Sequence, residues 1–432
     1  MKPSLCAVAA SLYLTEYTLY SNSSSAVLLN SAIAEYFGIP FSQAAYIGVA
    51  FLAGFCLALL PAGLLSHRHS PTAAFFASSA VLAVLGVVSA LSTEFWVLIG
   101  LRFLQGIASA VLAPQIFRII RAQFYPNHHS AVLGAWGLVV SASALCSPLI
   151  TALLNDLWGW RSFPYETVVT TLVAMVLLAL APTSPGSPDA ESAATSRLAI
   201  PVVGLAAVQL AIFLAMGSAT ALHTKVALLA LAILLGMALL ILRGRSQSRV
   251  LSGSLVVVFV AGIATNVFTL SVVYVLQQVR GMDSYGSALF LLPMAFVAGL
   301  IPMLKFGRPG DNPKSTRLVC IGSAFLIVAG LSLSAQVLLV SAALMGAAMG
   351  FLWSSLASNV LTNSTHIPFD SSLYHYLRAL GAAIGVATGA TMIDGLGTAL
   401  FTGAAVLVTV AGLVATLAAG AAWQAKQLAR VR

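Results

Sequence analysis

Three ionisable side chains interrupt stretches of sequence that are otherwise apolar: Glu16, Arg102 and Arg378. A charged group at the centre of an apolar layer costs about 3 kcal/mol on insertion scales, so each one needs a partner, an aqueous cavity or a function. A carboxyl group in such a place can take up and release a proton, and a nearby guanidinium tunes how tightly that proton is held. The chemistry that these residues predict is proton binding.

Glu16 lies on a polar face of the first apolar segment. That face also carries Tyr13, Tyr20, Ser23 and Ser24. Together with Glu16, these residues are spaced three or four positions apart, which places their side chains on one side of a helix. At 1.5 Å per residue, Glu16 lies roughly 16 Å deep, close to the midplane of a bilayer. One interpretation is a substrate path with a proton site at Glu16. The other is a protonated glutamic acid that is hydrogen-bonded to a neighbouring helix.

Arg102 lies roughly 9 Å from the end of its own segment, measured from the side of the membrane opposite to the start of the first segment. We therefore expect it at a membrane depth comparable with that of Asn22. A bond to Asn22, to backbone carbonyls or through water to Glu16 would satisfy the guanidinium. A purely structural arginine that holds helices together is the alternative.

A second polar face lies in the segment 252–278. Asn266, Thr269 and Gln277 follow helical spacing there, with Tyr274 beside them. These side chains predict the opposite wall of a substrate cavity. Amide groups that bond helices to one another are an equally good interpretation.

The composition requires lipid around most of these segments. Of the 432 residues, 60% are hydrophobic and 7% are charged, whereas soluble domains carry about 25% charged residues. The formal charge of +9 is spread over short connecting loops, which predicts contact with anionic lipid headgroups and no nucleic-acid partner. Four isolated cysteines suggest no metal site, and no cofactor is expected. The absence of HExxH, GxSxG and phosphate-loop motifs argues against an enzyme.

Fourteen transmembrane helices are predicted from the apolar runs. Their approximate bounds are 5–33, 42–65, 72–91, 95–120, 131–155, 164–182, 198–217, 224–243, 252–278, 285–304, 316–334, 337–361, 371–394 and 399–421. With the N-terminus inside, 15 of the 20 Lys and Arg residues fall on the inner side and three on the outer side. The positive-inside rule therefore predicts a multi-pass protein of a bacterial-type inner membrane, with both termini cytoplasmic.

A polar segment rich in Pro, Gly and Ser divides these helices into groups. We predict an N-terminal six-helix bundle over 1–182, a cytoplasmic linker over 183–197, an inserted transmembrane hairpin with a basic loop over 198–250, and a C-terminal six-helix bundle over 251–432. In the penultimate helix, Gly381 and Gly385 lie four residues apart, a spacing that favours close helix packing in lipid.

Several motifs resemble the major facilitator superfamily, and specifically its fourteen-span drug:proton antiporters. They are RFLQG at 102–106, SALCSPL around Pro148, GWRSFP at 159–164, YVLQQVRG at 274–281 with SYGSALFLLP at 284–293, and LRALGAAIGVA at 377–387. The resemblance implies proton coupling at Arg102. We further predict cavity positions for Asn22 and Gln105, and conformational or packing roles for Gly106, Pro148 and Arg378.

Two departures from the family pattern bear on the mechanism. Asn22 stands where the family has an aspartate, and a neutral amide does not exchange a proton near pH 7. Glu16 is then the candidate to carry the proton in its place. In the loop GLLSHRHSP, His67, Ser70 and Pro71 replace the Asp, Gly and Arg of the family, which implies a weaker conformational latch.

The sequence thus predicts an all-α, monomeric secondary transporter that exports lipophilic or cationic small molecules by alternating access, driven by protons. Two alternatives stay open. The first is an uncoupled facilitator or a specialised metabolite exporter, and the second is a non-transporting membrane sensor or scaffold.

Overall fold

Helices make up nearly all of the part of the chain that the computed structural model describes. The described residues are 3–65, 70–124, 139, 143, 146–181, 249–303, 312–334, 337–363, 367–396 and 400–431. Within these ranges no residue is in a β-strand, so the prediction of an all-α protein is confirmed for this part of the chain. The predicted linker and nearly all of the inserted hairpin region lie outside the described residues, and the total of fourteen spans stays a prediction.

The helices are numbered here in chain order. They are α1 (Pro3–Ser24), α2 (Asn30–Phe37), α3 (Phe41–Ala44), α4 (Tyr46–Leu65), α5 (Pro71–Ala90), α6 (Phe95–Gln123), α7 (146–158), α8 (Ser162–Ala179), α9 (Arg249–Tyr274), α10 (Ser284–Met303), α11 (Asn312–Ser334), α12 (Leu338–Asn363), α13 (Ile367–Leu396) and α14 (Leu400–Val431). A 3₁₀ segment, Ser25–Leu29, joins α1 to α2, and a π-helical turn, Val275–Val279, follows α9.

Seven described helices are long and apolar enough to cross a membrane. Their positions agree with the hydropathy because apolar length fixes where a helix can span; α5, for example, occupies nearly the range predicted at 72–91. Local chemistry sets several ends. Pro71 begins α5 at a position where a missing N–H costs nothing, and Gly38, with φ of +65°, ends α2 in the left-handed conformation.

Apolar side chains cover the outer faces of these helices. On α8, Val169, Leu172, Val173 and Val176 are exposed at the spacing of one helical face. A continuous valine and leucine face of this kind would be costly in water, so hydrocarbon is the surrounding that it fits.

Two compact units divide the chain. The first contains residues 1–40, 50–210 and 283–288, and the second contains 41–49, 211–282 and 289–432. In the first unit, α1 packs on α6 and α8, and α5 packs on α6 and α8. Fully buried apolar residues of these helices, such as Leu12, Leu82 and Leu178, form its core. In the second unit, α9 packs against α12, α13 and α14. The predicted bundle boundaries stay a prediction.

In the first unit, α4 and α6 approach each other closely at two glycines. A Cβ atom added at Gly106 would meet the carbonyl oxygen of Phe51, and one added at Gly54 would meet that of Phe103. Only glycine permits main chains to lie this close. The two glycines therefore fix α6, which carries Arg102, against α4.

Arg161 joins the ends of several helices of the first unit. Its Nε donates to the carbonyl oxygen of Ala90 (2.9 Å), and its Nη2 donates to the Tyr36 hydroxyl (2.7 Å). The guanidinium also lies over the rings of Tyr36 and Trp160, at 4.5 and 4.8 Å from their centroids. The turn of the GWR motif, with Gly159 at φ of +77°, places the arginine for these contacts.

Candidate functional site

Arg102 lies in the interior of α6 with only 3% of its surface exposed. Its Nη1 donates to Asn22 Oδ1 (2.7 Å) and to Gln105 Oε1 (2.8 Å), and its Nη2 donates to the backbone oxygen of Asn22 (2.7 Å). The structure thus brings together Arg102 and Asn22, which the sequence predicts at the same depth in the membrane. Of the three partners considered from the sequence, Asn22 and a backbone carbonyl are the ones that Arg102 contacts directly.

Gln105 extends this contact to α5. Its amide oxygen accepts from Arg102, one turn earlier on α6, and its Nε2 donates to Ser89 Oγ (3.0 Å). Because the oxygen faces the guanidinium, the amide has one orientation that satisfies both groups. We call Arg102, Asn22, Gln105 and Ser89 the arginine cluster. Gln105 thus lies beside the arginine, and its position in a substrate cavity stays a prediction.

The guanidinium of Arg102 is held by neutral oxygens and aromatic faces. The rings of Phe51 and Phe163 lie 4.6 and 5.2 Å from its central carbon, within the range of cation–π attraction. Its Nε makes no hydrogen bond to any described residue, and no described carboxylate contacts it. A buried positive charge without a neighbouring negative one is an electrostatic imbalance that a proton or a bound cation can change.

A buried carboxylate, Glu166, lies on α8 and was not among the residues singled out from the sequence. It is 9% exposed. Its Oε1 accepts from the Tyr17 hydroxyl (2.6 Å) and from Ser21 Oγ (3.2 Å), and its Oε2 accepts from Thr151 Oγ1 (3.0 Å). We call these four residues the carboxylate cluster. Three helices, α1, α7 and α8, meet in it.

The two clusters lie beside each other, because consecutive residues of α1 and of α8 belong to them or contact them. Asn22 Nδ2 donates to Thr167 Oγ1 (3.0 Å), while Asn22 Oδ1 accepts from Arg102. Asn22 follows Ser21 on α1, and Thr167 follows Glu166 on α8. Neighbouring residues of the same two helices therefore contact the guanidinium on one side and the carboxylate on the other.

The hydropathy pattern did not single out Glu166. The predicted span begins at residue 164, so Glu166 is expected near the end of the span, where a charged residue is not unusual. A signal was nevertheless present. Thr167, Thr170 and Thr171 follow Glu166 in an otherwise apolar helix, and Tyr17 and Ser21 stand four residues apart on α1, as neighbours on one face do. Matching these two polar faces would have predicted the cluster.

Glu16 lies half-buried on α1, and the sequence-predicted residues Tyr13 and Tyr20 on the same helix are half-buried as well. The hydrogen bonds of Arg102 go to Asn22 and Gln105 and not to Glu16. Glu16 immediately precedes Tyr17, whose hydroxyl bonds to Glu166. The role of Glu16 in proton coupling stays a prediction. Pro148 is half-buried in α7.

In the second unit the predicted polar residues of α9 bond to their own helix. Asn266 Nδ2 donates to the Gly262 carbonyl (2.9 Å), and Thr269 Oγ1 donates to that of Thr265 (2.9 Å). Tyr274 packs its ring against Phe41 at 5.2 Å. Gln277 is buried in the π-helical turn that follows. The structure does not bring Asn266 and Thr269 into one hydrogen-bonded cluster with the other two.

The α13 residues predicted for conformational and packing roles lie against α9 and α12. Cβ atoms added at Gly381 and Gly385 would meet the carbonyl oxygens of Phe259 and Ile263. The Arg378 guanidinium lies 5.9 Å from the Trp353 ring centroid. In the described parts of the chain, no group of three or more His, Cys, Asp or Glu side chains could hold a metal ion.

Comparison with known proteins gives a family match over most of the chain. A family model described as Major Facilitator Superfamily matches residues 9–386. The Tetracenomycin C resistance and export protein of Streptomyces glaucescens is 27% identical over 174 residues, which cover 40% of this chain and 32% of that protein. Multidrug export protein EmrB of Escherichia coli is 24% identical over 147 residues, covering 34% and 29%.

A longer match joins the chain to the methyl viologen resistance protein SmvA of Salmonella typhimurium, 26% identical over 295 residues that cover 64% of this chain and 56% of that protein. The first two matches thus span about a third of those relatives' length. A crystal structure of the peptide transporter POT in complex with sulfate superimposes with a TM-score of 0.68 at 15% identity, over 98% of this chain and 95% of that chain. At this identity the likeness concerns the fold alone.

Proposed function

The chain belongs to the Major Facilitator Superfamily, and from that membership we propose that it is a proton-coupled exporter of lipophilic or cationic small molecules. It works by alternating access: a binding site near the bilayer midplane opens first to one side of the membrane and then to the other. Fourteen helices, as two six-helix bundles and an inserted hairpin at 198–250, form the proposed protein. It is a monomer in the inner membrane with both termini cytoplasmic, and its partners are the substrate, protons and lipids.

The observation that carries this proposal is the arginine cluster. Placing a guanidinium in a bundle core is costly, and here three neutral oxygens accept hydrogen bonds from its Nη1 and Nη2 without neutralising its charge. A purely structural link between α1 and α6 could be made by an uncharged amide at much lower cost. The retained charge fits a role in controlling a proton on a nearby carboxyl group, as proposed for Glu16 on α1.

In the proposed cycle, a proton on Glu16 competes with the substrate. Release of the proton leaves a carboxylate that attracts a cationic substrate, and Tyr13 and Tyr20 on the same helix supply aromatic faces. Arg102 responds to the charge of that carboxylate through α1, to which Asn22 attaches it. The relatives named for multidrug export and methyl viologen resistance support this substrate class.

Transport of ethidium, a lipophilic fluorescent cation, into everted membrane vesicles tests the proposal. We expect uptake that requires an imposed pH gradient and that is lost in Glu16→Gln and Arg102→Ala. Glu35→Gln is the matched control because Glu35 is exposed on α2, and it should transport like the unmodified protein. Uptake by Glu16→Gln at the unmodified rate and with the same gradient dependence would exclude Glu16 as the coupling residue.

A second candidate function is an uncoupled facilitator or a specialised metabolite exporter. The neutral amide of Asn22 beside Arg102 favours it, because that position cannot exchange a proton near pH 7. Ethidium flux that is equal with and without a pH gradient would select the facilitator. Any substrate-dependent flux would exclude a sensor or scaffold without turnover.

A further inference from the structure

We infer that the carboxylate cluster is a second proton-binding site, in which Glu166 takes up and releases a proton while Tyr17, Ser21 and Thr151 keep it hydrogen-bonded in both states. This inference extends the proposed function, since it adds a proton site to a transporter that was proposed to be proton-driven. It assigns the proton to a residue other than Glu16 or Arg102.

Glu166 has no cation beside it. Among the described residues, no Lys, Arg or His makes an ion pair with its carboxylate, and its contacts are the three hydroxyls. The helix α5, which packs on α8, carries no charged residue. The other titratable groups facing the site are the Tyr17 phenol, the Cys146 thiol near that phenol, and Arg102 beyond Thr167 and Asn22. A carboxylate in a structural salt bridge is held in its ionised form and does not readily take up a proton. Glu166 makes no such ion pair with a described residue, so it can take up a proton.

Hydroxyl groups suit proton exchange because each can donate or accept. In the ionised form, Glu166 accepts from all three, as the distances describe. Proton uptake adds one O–H bond at Oε2, and the Thr151 hydroxyl facing that oxygen then turns from donor to acceptor. It can donate instead to Ser21 Oγ, which lies 3.4 Å away in a contact where either oxygen can be the donor. The side chains of Glu166, Tyr17, Ser21 and Thr151 therefore keep hydrogen-bond partners within the cluster in both states.

The position of the cluster lets this proton act on the arginine cluster. Ser21 and Asn22 are consecutive on α1, and Glu166 and Thr167 are consecutive on α8, so a shift between these helices moves both sets of hydrogen bonds. One turn further along, Thr18 donates to Thr170 Oγ1 at 2.9 Å. A change of charge at Glu166 is therefore placed to alter how α1 holds Arg102.

Infrared difference spectroscopy of the full-length protein in lipid vesicles tests the inference without any substrate. A pH titration should show the C=O stretch of a buried protonated carboxyl group, and Glu166→Gln should remove that band. Glu16→Gln and the exposed-site control Glu35→Gln should leave the Glu166 band in place. A buried-carboxyl spectrum that Glu166→Gln leaves unchanged would overturn the inference.

Thr151→Val and Tyr17→Phe keep the carboxyl group and so provide a second measurement if Glu166→Gln does not fold. Each removes one hydroxyl, and we expect the titration midpoint of the band to move by about half a pH unit or more. An unmoved midpoint in both variants would also overturn the inference. The ethidium assay separates the two proposals: flux independent of a pH gradient contradicts proton-driven export, whereas the infrared band reports on Glu166 alone.

Discussion

Replacing Asn22 with alanine is the most direct test of how Arg102 is held. The change removes one of the three oxygens that accept from the guanidinium, and it removes both bonds that the amide donates, to the Thr18 carbonyl and to Thr167. A hydrogen bond to a buried charged group contributes about 1.5–3 kcal/mol and a neutral one about 1 kcal/mol. Because the backbone oxygen of Asn22 and the amide of Gln105 still accept from Arg102, we expect a loss of about 2–4 kcal/mol.

Thermal unfolding of the purified protein in detergent measures this loss, which for a chain of 432 residues corresponds to a decrease of about 2–4 °C in the unfolding midpoint. Asn266→Ala is the matched control, because that amide donates only to a carbonyl of its own helix and should cost about 1 kcal/mol. Asn22→Asp loses both donors but places a carboxylate against Arg102, and hydrogen bonds between charged groups are stronger than neutral ones, so its midpoint should lie above that of Asn22→Ala. If Asn22→Ala unfolds at the same temperature as Asn266→Ala or higher, the amide does not hold the arginine.

Two further predictions concern packing in the first unit. Gly106→Ala should destabilise the protein by about 1–3 kcal/mol, because the added methyl group meets the Phe51 carbonyl. Gly100→Ala is the control: nothing lies within 4 Å of the added methyl group, and alanine is the better helix former, so the thermal midpoint should stay the same or rise slightly. Equal midpoints for the two variants would contradict the close approach. Arg161→Lys should cost about 1–2 kcal/mol, since lysine cannot donate to Ala90 and Tyr36 while stacking on the ring; chemical denaturation that detects no loss would contradict this role.

Hydropathy located the helices well because a membrane imposes a minimum apolar length. The predicted range 95–120 corresponds to α6, Phe95–Gln123, and the range 399–421 corresponds to the longer α14, Leu400–Val431. Polar residues at the helix ends explain the extra length, because a helix can continue into the aqueous phase and hydropathy does not register that part. The 3₁₀ segment Ser25–Leu29 interrupts the predicted span 5–33. Nothing in the apolar pattern indicates that break.

The part of the candidate site that depends only on depth along the helices was predictable from the sequence. Arg102 and Asn22 could be matched by counting depth along two helices, and the structure joins them. Glu166 could not be found in that way, because its partners Tyr17 and Thr151 come from two other helices whose rotation about their axes hydropathy does not define. Depth along a helix follows from the chain, whereas the direction of a side chain around the axis depends on packing.

At Gly54 and Gly106 the main chains of α4 and α6 are in direct contact. This contact limits how far the helix surroundings of Arg102 can move. Where side chains separate two helices, a change of rotamer lets one slide past the other. Here main chain touches main chain, and no flexible atom is available to absorb a displacement. Within the first unit, α4 and α6 should therefore move together as one rigid pair. Any adjustment to a change of proton charge would then come from α1 and α8, and α1 is the helix whose Asn22 accepts hydrogen bonds from Arg102.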